Sequence, residues 1–188
     1  MLTTNQKEVA TYAQRFRTHG IVRDNTELSI KCKPDWYYEM QEIGFNYRMT
    51  DLSAALGISQ LNKLDKFIKA RNILRKTYDS AFDGLELRTQ LVCPNNYSAW
   101  HIYTILIPKN RDRVHDFLKS RGIAANVHYI PIHQQPFWQR LGFKTGDFPS
   151  SEQYYSQTLT IPLFPSLTKN QQDYVIDNIQ ESLREFVL

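Results

Sequence analysis

The sequence predicts an α/β fold in which one long amphipathic helix leads into a small α/β domain. The helix is indicated by apolar residues that recur at helical spacing between residues 52 and 68. A strand is indicated by the aromatic and β-branched run A-W-H-I-Y-T-I-L-I at residues 99–107. A helix and a second strand follow this run, and the strand–helix–strand order is typical of a compact α/β layer.

The chain opens with a predicted helix over residues 5–19, which Gly20 ends. A helix of this length is not stable alone in water, so we expect it to need a partner surface. We expect a turn at residues 33–35, where proline and aspartate stand together. The W-Y-Y-E-M run at residues 36–40 is compatible with a strand whose bulky side chains pack.

The long helix begins after Thr50, whose hydroxyl can accept a hydrogen bond from a free N–H of the first turn. Asp51 follows, and its negative charge suits the positive end of the helix dipole. We expect this helix to run to about Phe82, with residues 83–84 closing it. Gly57 in its interior indicates a close approach by another helix or a second subunit. The apolar stripe consists of Leu52, Leu56, Leu61, Leu64 and Ile68.

Further helices and two extended segments complete the predicted small domain. Asn110 would cap a helix that ends at Gly122, and residues 123–128 would form the second strand. A polar and aromatic loop then leads to a short helix that ends at Gly142. The last predicted elements are a helix from Ser150 or Ser151 to about Thr158, an extended piece at residues 159–164, and a helix behind the capping box of Thr168 and Gln171 with Val175, Ile179, Leu183 and Phe186 as its core stripe.

Composition is that of an ordinary globular protein, with 22% charged residues and a net charge of +4. Lysine and arginine are scattered among acids, so we expect no nucleic-acid partner, which would need a concentrated basic stripe. The densest basic cluster comprises residues 69–71 with Arg75 and Lys76. We interpret it as the solvated face of the long helix; alternatively, a mildly basic surface attracts an anionic nucleotide-sugar.

Location and redox state follow from what the sequence lacks. No segment approaches the roughly 20 apolar residues of a membrane helix, and the N-terminal residues lack the basic and apolar regions of a signal peptide. We therefore expect a cytoplasmic protein with no membrane partner. Cys32 and Cys93 are far apart, have no zinc-site spacing, and are expected to be free thiols.

Asn46 and Arg48 lie just before the start of the long helix. An amide and a guanidinium beside a helix N-terminus can bind an anion, because both donate hydrogen bonds and the helix dipole favours negative charge there. A phosphate is the anion that we expect. From residue types alone, a turn-forming asparagine and a surface arginine are the simpler explanation.

The segment G-F-N-Y-R-M-T-D-L-S-A-A-L-G-I-S-Q-L at residues 44–61 resembles the signature segment of the DegT/DnrJ/StrS family. Its members are sugar aminotransferases that depend on pyridoxal phosphate (PLP) and act on nucleotide-linked keto-sugars. The resemblance covers nearly the whole chain and implies the C-terminal part of an aspartate-aminotransferase-like fold. It implies that residues 1–47 are a remnant of the large PLP-binding domain. Residues 48–188 would be the connecting helix and the small C-terminal domain.

In this family a lysine forms the Schiff base with PLP, and the resemblance places that lysine upstream of Thr4, before Met1. We therefore expect that these residues include no catalytic lysine and cannot transaminate alone. The chain would be an expressed fragment or the product of a split or truncated gene. Half of a two-domain enzyme should also expose apolar surface that its other half covers.

Two groups of site residues are implied by the resemblance. Asn46 matches an asparagine that reaches across a homodimer interface to the cofactor phosphate of the neighbouring subunit, and Arg48 belongs to the same loop. His128, Tyr129 and His133, in V-H-Y-I-P-I-H, resemble the segment that lines the nucleotide-sugar pocket. A packed loop with hydrogen-bonded histidines remains the alternative. The spacing of the two histidines, with no acid or cysteine beside them, is not that of a zinc site.

The resemblance implies a role in the transfer of an amino group from a donor such as glutamate to a nucleotide-linked keto-sugar. The 4-aminotransferases that make 4-amino-4,6-dideoxy sugars, such as those of the pseudaminic acid pathway, are the most similar in kind. The alternative function is a non-catalytic module for dimerisation or sugar-nucleotide binding. Binding of a UDP-sugar without cofactor would favour the module.

Overall fold

The computed structural model describes residues 2–31 and 34–188, which form two compact units. The first unit comprises the described residues up to Leu61, and the second runs from Asn62 to Leu188. The first unit contains α1 (Lys7–Phe16), β1 (Ile21–Val22), β2 (Glu39–Met40) and α2 (Asp51–Leu61). The second contains α3 (Leu64–Phe82), β3 (Arg88–Thr89), β4 (Tyr103–Leu106), α4 (Arg111–Ser120), α5 (Pro136–Gln139), α6 (Pro149–Gln157), β5 (Thr158–Ile161) and α7 (Lys169–Phe186).

In the first unit, α1 leads into a two-stranded antiparallel sheet in which Val22 lies opposite Glu39. Arg15, in the last turn of α1, lies 2.9 Å from Glu27 and 3.7 Å from Glu42. The two acids belong to the segments that follow β1 and β2. One guanidinium therefore ties the helix to the chain beyond both strands.

The loop between β1 and β2 is closed by the carboxylate of Glu39. Its Oε2 accepts a hydrogen bond from the Ser29 N–H at 2.7 Å, and its Oε1 accepts one from the Ile30 N–H at 3.0 Å. These bonds to backbone N–H groups favour the charged form and lower the pKa of Glu39 to about 2. The neighbouring Leu28 is 2% exposed, so the loop buries an apolar side chain as it closes.

The second unit is built on a three-stranded antiparallel sheet with the order β3–β4–β5. Ile105 lies opposite Leu159, and Thr104 lies opposite Thr160. Because side chains alternate along a strand, these two pairs lie on opposite faces of the sheet. One face is apolar and fully buried, whereas the threonine face carries a hydrogen bond to His128.

The apolar face of the sheet is covered by a core that α3, α4 and α7 complete. Tyr78 of α3 is fully buried, its hydroxyl donates to the Pro162 carbonyl at 2.9 Å, and its ring centroid lies 5.0 Å from that of Tyr103. α7 contacts both α3 and α4. The buried residues of this core are Leu74, Tyr78, Phe82, Trp100, Tyr103, Ile105, Ile107, Val114, Leu118, Ile123, Leu159, Ile161, Leu163, Leu167, Val175, Ile176, Ile179, Leu183 and Val187.

The single helix predicted from residue 50 to 82 is wrong, because the structure has two helices, α2 and α3, with a turn at Asn62 and Lys63 between them. Lys63 has a ψ of −6°, far from the helical value of about −42°. Asparagine is one of the weaker helix formers, a feature that the regular apolar spacing concealed. Gly57 of α2 has no atom within 4 Å of where a Cβ would stand. Its predicted close approach is therefore not made within the described residues.

Two predicted strands are shorter in the structure. The strand predicted at residues 99–107 is reduced to β4, because Trp100 has a φ of +48° and buries its ring with 5% exposure. A left-handed backbone at a bulky residue interrupts an extended chain. The strand considered at residues 36–40 is reduced to β2, because the Tyr37 N–H donates to the Pro34 carbonyl at 2.8 Å and closes a turn first.

The second predicted strand of the small domain, at residues 123–128, is also wrong. Only Asn126 pairs there, in an isolated bridge with Thr160. The side-chain Oδ1 of Asn126 accepts a hydrogen bond from the Val127 N–H at 2.8 Å. Such local bonds compete with a strand ladder and explain why the pairing stops after one residue.

The remaining predicted helices are confirmed, with shifted ends. α1 is shorter than residues 5–19, since His19 and Gly20 both have a φ near +60 to +70°. α4 follows Asn110 as predicted, but the Asn110 amide donates to the Phe186 carbonyl at 2.7 Å and makes no cap bond. α6 matches its prediction within two residues. α7 begins at a complete capping box, as its sequence predicts.

Cys93 is a free and exposed thiol, as predicted. The predicted thiol of Cys32 and the first residue of the predicted turn, Lys33, lie outside the described residues. The predicted boundary between residues 47 and 48, which concerns the domains of the family fold, stays a prediction. None of the helices in the described part of the chain is long and apolar enough to cross a membrane.

Candidate functional site

The segment that carries Asn46 is held by the chain that follows α1. The His19 N–H donates to the Phe45 carbonyl at 2.9 Å, and the Tyr47 N–H donates to the Arg17 carbonyl at 3.0 Å. These two hydrogen bonds lie on either side of Asn46, which forms a bridge with Thr18. The backbone of Asn46 is therefore fixed, while its side chain is exposed.

Two glycines allow this close contact. A Cβ at Gly44 would stand 2.5 Å from the Gly20 nitrogen and 2.6 Å from the Phe16 carbonyl oxygen. A Cβ at Gly20, whose φ is +69°, would stand 1.8 Å from the Glu42 carbonyl oxygen. Backbone atoms cannot move aside as a flexible side chain can, so both positions need glycine.

The aromatic side chains on either side of Asn46 belong to a row of packed rings. Phe45 lies between Phe16 and Tyr47, with ring centroids 5.0 Å and 4.9 Å away, and Tyr12 stacks on Phe16 at 5.5 Å. Aromatic pairs at these distances add roughly 1 kcal/mol each beyond their buried area. The row adds apolar contacts to the hydrogen bonds that fix the segment of Asn46.

Arg48 lies between this clamped segment and the start of α2, and its side chain is exposed. The predicted cap is confirmed, because the Ser53 N–H donates to Thr50 Oγ1 at 3.2 Å. Asp51 adds a carboxylate in the first turn. The segment thus presents an exposed amide from Asn46, whose backbone is fixed, and an exposed guanidinium from Arg48, two residues before the capping Thr50. An amide and a guanidinium just before a helix start are groups that can bind an anion.

The second unit contains an open groove of about 580 Å³ with an aromatic lining. A groove of this size accommodates a small organic ligand. Two of the three residues predicted for the nucleotide-sugar pocket, Tyr129 and His133, line it, and Tyr129 is 74% exposed. The other lining residues are Ile130, Pro131, Ile132, Trp138, Phe143, Phe148, Ser151 and Tyr154.

His128, the third predicted residue, is not part of this lining. Its Nδ1 lies 2.8 Å from Thr160 Oγ1, and its ring centroid lies 4.5 Å from that of Tyr129. Thr160 Oγ1 lies 3.4 Å from the hydroxyl of Thr104 on the neighbouring strand. His128 is therefore anchored to the threonine face of the sheet, and its ring packs against that of Tyr129.

His133 lines the groove and is braced from the other side. Its Nε2 lies 2.8 Å from Glu152 Oε1, and this oxygen also accepts the Gly146 N–H at 2.7 Å. The His133 ring packs 4.8 Å from that of Phe148. The hydrogen bond from His133, and secondly that from Gly146, lowers the pKa of Glu152 below its usual value.

Sequence reasoning missed Glu152 and Thr160, the two side chains that hold the histidines. Glu152 follows His133 by 19 residues and Thr160 follows His128 by 32 residues. Nothing in a single sequence marks partners this far apart. Within residues 2–31 and 34–188, no three side chains of histidine, cysteine, aspartate or glutamate are grouped so that they could hold a metal ion.

Known proteins resemble the chain over nearly its whole length. The model of the DegT/DnrJ/EryC1/StrS aminotransferase family matches residues 1–180. The spore coat polysaccharide biosynthesis protein SpsC of Bacillus subtilis is 33% identical, over 98% of this chain and 49% of SpsC. The UDP-4-amino-4,6-dideoxy-N-acetyl-beta-L-altrosamine transaminase of Campylobacter jejuni is 29% identical, over 95% of this chain and 46% of its own.

Among solved structures, Helicobacter pylori PseC, an aminotransferase involved in the biosynthesis of pseudoaminic acid, matches with a TM-score of 0.84 and 28% identity. The match covers 97% of this chain and 48% of PseC. It confirms the predicted fold class, the C-terminal part of an aspartate-aminotransferase-like fold. The chain spans about half the length of the curated relatives that it matches. The chain belongs to the DegT/DnrJ/EryC1/StrS aminotransferase family.

Proposed function

We propose that the chain is the C-terminal portion of a cytoplasmic PLP-dependent aminotransferase that acts on a nucleotide-linked keto-sugar. The family match over residues 1–180 carries this proposal. Its relatives, a UDP-amino-sugar transaminase and a spore coat polysaccharide biosynthesis protein, support a role in amino-sugar or surface polysaccharide biosynthesis. Residues 1–47 would complete the large PLP-binding domain, and residues 48–188 would form the connecting helix and small domain.

Asn46 and Arg48 would bind the phosphate of PLP held by the other subunit of a homodimer. The fit is good, because both side chains are exposed donors just before a capped helix start, and the backbone of Asn46 is fixed. When bound, PLP supplies the electron sink that amino-group transfer requires. This chain contributes hydrogen bonds and positive charge that orient the phosphate, and it leaves the covalent attachment to another part of the enzyme.

The lysine that attaches PLP belongs, in this proposal, to the part of the family fold outside these 188 residues. The chain alone would then not transaminate. Incubation with PLP and borohydride, followed by lysine mapping, tests this point. We expect no stoichiometrically labelled lysine, and a single fully labelled lysine would overturn this part of the proposal.

Substrate binding would use the groove lined by Tyr129 and His133. The phenol of Tyr129 can donate to a sugar hydroxyl or a pyrophosphate oxygen, and the aromatic lining suits a planar base. His128 would keep Tyr129 in place through its bond to Thr160. The UDP-amino-sugar transaminase of Campylobacter jejuni favours a sugar carried by UDP as the substrate. The proposed acceptor is its 4-keto form, and the proposed amino donor is glutamate.

The function is tested by co-expression of the chain with the N-terminal half of SpsC. We expect the pair to acquire bound PLP and to transfer an amino group from glutamate to a UDP-keto-sugar. Asn46→Ala should weaken PLP binding by roughly tenfold or more, because a hydrogen bond to a charged group is lost. Asn62→Ala, at an exposed turn, is the control and should leave PLP binding unchanged.

The second candidate function is a non-catalytic module that binds a sugar-nucleotide or mediates dimerisation. Two observations favour it: the second unit contains an aromatic groove of about 580 Å³, and Leu52 and Leu56 of α2 are exposed. Binding of a UDP-sugar by the chain without PLP, combined with no activity in the co-expression experiment, would favour the module over the enzyme portion.

A further inference from the structure

The basic cluster that the sequence places on α3 is not a uniformly solvated helix face. Lys69, Arg75 and Lys76 line a groove of about 530 Å³ between α3 and the segment of residues 92–100. This groove shares no lining residue with the groove of Tyr129 and His133. The aminotransferase proposal assigns no role to this groove.

Arg75 is held in one orientation. Its Nε lies 2.7 Å from Asp79 Oδ2 in an ion pair that lacks the angle of a hydrogen bond, and the other oxygen of Asp79 accepts the Tyr103 hydroxyl at 2.6 Å. Its guanidinium carbon lies 5.0 Å from the centroid of the buried Trp100 ring. In the described part of the chain, the terminal N–H groups of Arg75 have no hydrogen-bond partner. A fixed guanidinium with free terminal donors is suited to bind an oxyanion in bidentate fashion.

The charge of the groove is positive. Asp79 compensates Arg75, but the exposed amino groups of Lys69 and Lys76 have no ion-pair partner among the residues that the structure describes. Glutamate and aspartate are absent from the lining of the groove. Two uncompensated positive charges beside an oriented guanidinium favour a ligand with more than one negative charge, such as a phosphate.

The opposite wall of the groove is fixed and aromatic. The Asn72 amide donates to the Ser98 carbonyl at 3.2 Å and ties the loop to α3. The Ser98 hydroxyl accepts the Trp100 N–H at 3.2 Å, where the backbone is left-handed. Tyr97, which is 74% exposed, also lies in this wall. An exposed ring on a fixed loop offers a stacking surface for a planar base.

We propose that the groove between α3 and residues 92–100 is a binding site for a nucleoside phosphate. The phosphate binds to the Arg75 guanidinium and to the amino groups of Lys69 and Lys76, and the base stacks on Tyr97. The inference goes beyond the proposed function, since it needs no PLP and uses none of the residues assigned to substrate binding.

Isothermal titration of the 188-residue chain at low ionic strength tests the site, with UDP, pyrophosphate and uridine as separate ligands. We expect UDP to bind more tightly than pyrophosphate or uridine. The double variant K69Q/K76Q should weaken UDP binding by roughly tenfold or more. Tyr97→Ala should weaken it by about fivefold or more while leaving pyrophosphate binding unchanged.

Lys66→Gln is the matched control for the single variants Lys69→Gln and Lys76→Gln, because each removes one positive charge from α3 and only Lys66 lies outside the groove. It should change UDP affinity less than either lysine of the groove. Lys69, Lys76 and Tyr97 are exposed, so their variants should keep the fold, which circular dichroism checks. Equal affinity for UDP and pyrophosphate, or a loss with Lys66→Gln as large as that with K69Q/K76Q, would overturn the proposal. Loss of UDP binding in His133→Ala but not in Tyr97→Ala would also overturn it, by assigning UDP to the other groove.

Discussion

Glu152 Oε1 lies 2.8 Å from His133 Nε2 and 2.7 Å from the Gly146 nitrogen, so one carboxylate oxygen joins α6 to His133 of the groove lining and to the loop at Gly146. An ionised carboxylate only accepts hydrogen bonds, and Nε2 of His133 is therefore the protonated nitrogen. His133 is 7% exposed and Glu152 is 17% exposed. The contact between Glu152 and His133 holds His133 in the groove lining and so fixes the shape of the groove.

Replacement of Glu152 by glutamine should destabilise the chain near neutral pH and have less effect in acid. The pKa of Glu152 is lower in the folded chain than its ordinary value of 4.5. Its stabilisation is thus fully present above pH 4.5 and is lost as the pH falls through the lowered folded pKa. Urea denaturation of both proteins across this range measures the effect, and their unfolding free energies should converge in acid.

The control for this experiment is Glu181→Gln. Glu181 pairs with Arg121 at 2.9 Å, but both side chains are more than 40% exposed. An exposed ion pair contributes at most about 1 kcal/mol, so this variant should change little at any pH. A Glu152→Gln effect that persists undiminished in acid would show that the carboxylate acts through packing rather than charge.

Glycine replacements should separate a clamped position from an open one. Gly44→Ala should destabilise the first unit by about 2 kcal/mol or more, because its Cβ would meet three backbone atoms within 2.8 Å. Gly57→Ala should stabilise the isolated chain by about 1 kcal/mol, since it replaces glycine in a helix with open space around it. Hydrogen exchange at the amides of His19 and Tyr47, whose bonds flank Asn46, measures the first effect directly.

Thermal unfolding compares the two glycine variants on one scale. If Gly57→Ala also lowers the melting temperature, α2 is packed against something in solution. That result would support the predicted close approach to another helix or subunit.

The features that sequence reasoning predicted correctly are local ones. The capping box of Thr168 and Gln171 and the cap at Thr50 depend on residues three apart, and both are present. The core stripe of α7 follows from helical spacing, with Val175, Ile179 and Leu183 all buried. Short-range hydrogen bonds and periodic burial leave a signature in the sequence itself.

The features that it missed depend on distant partners or on single backbone angles. The turn at Asn62 and Lys63 interrupts an otherwise regular apolar pattern, and Trp100 adopts a left-handed backbone that no composition rule predicts. The site prediction grouped His128 with Tyr129 and His133. The bond from Thr160 draws His128 to the sheet instead. Tertiary contacts decide which of the neighbouring side chains in this loop line the groove.

Two buried tyrosines should differ in their contribution to stability. Tyr103→Phe should cost about 2 kcal/mol, because its hydroxyl donates to the charged carboxylate of Asp79 at 2.6 Å. Tyr78→Phe should cost about 1 kcal/mol, because its partner is the neutral carbonyl of Pro162. Denaturant titration of both variants tests the order, and an equal loss would contradict the charge-assisted bond.

The same tyrosines should make the chain sensitive to alkali. Burial raises the pKa of Tyr78, and burial together with the Asp79 hydrogen bond raises the pKa of Tyr103. Both rings keep their protons in the folded chain above pH 10, whereas the unfolded chain ionises at its ordinary value of 10.0. Stability should therefore fall as the pH rises above 10. Ultraviolet absorbance counts the phenolates. After unfolding, the Tyr78→Phe/Tyr103→Phe variant should show two fewer phenolates than the original chain, whereas the two folded chains should show the same number.

The exposed leucines of α2 should matter for association and not for folding of the chain alone. Leu56 is 61% exposed, so Leu56→Ser should change the unfolding free energy of the 188-residue chain by less than about 0.5 kcal/mol. In the proposed enzyme this leucine is covered, and its loss should weaken assembly with the N-terminal half by roughly tenfold or more. Leu141, equally exposed at 61% but outside α2, provides the control. Analytical ultracentrifugation of the co-expressed halves distinguishes the variants, and equal assembly with Leu56→Ser and Leu141→Ser would place the covered surface elsewhere.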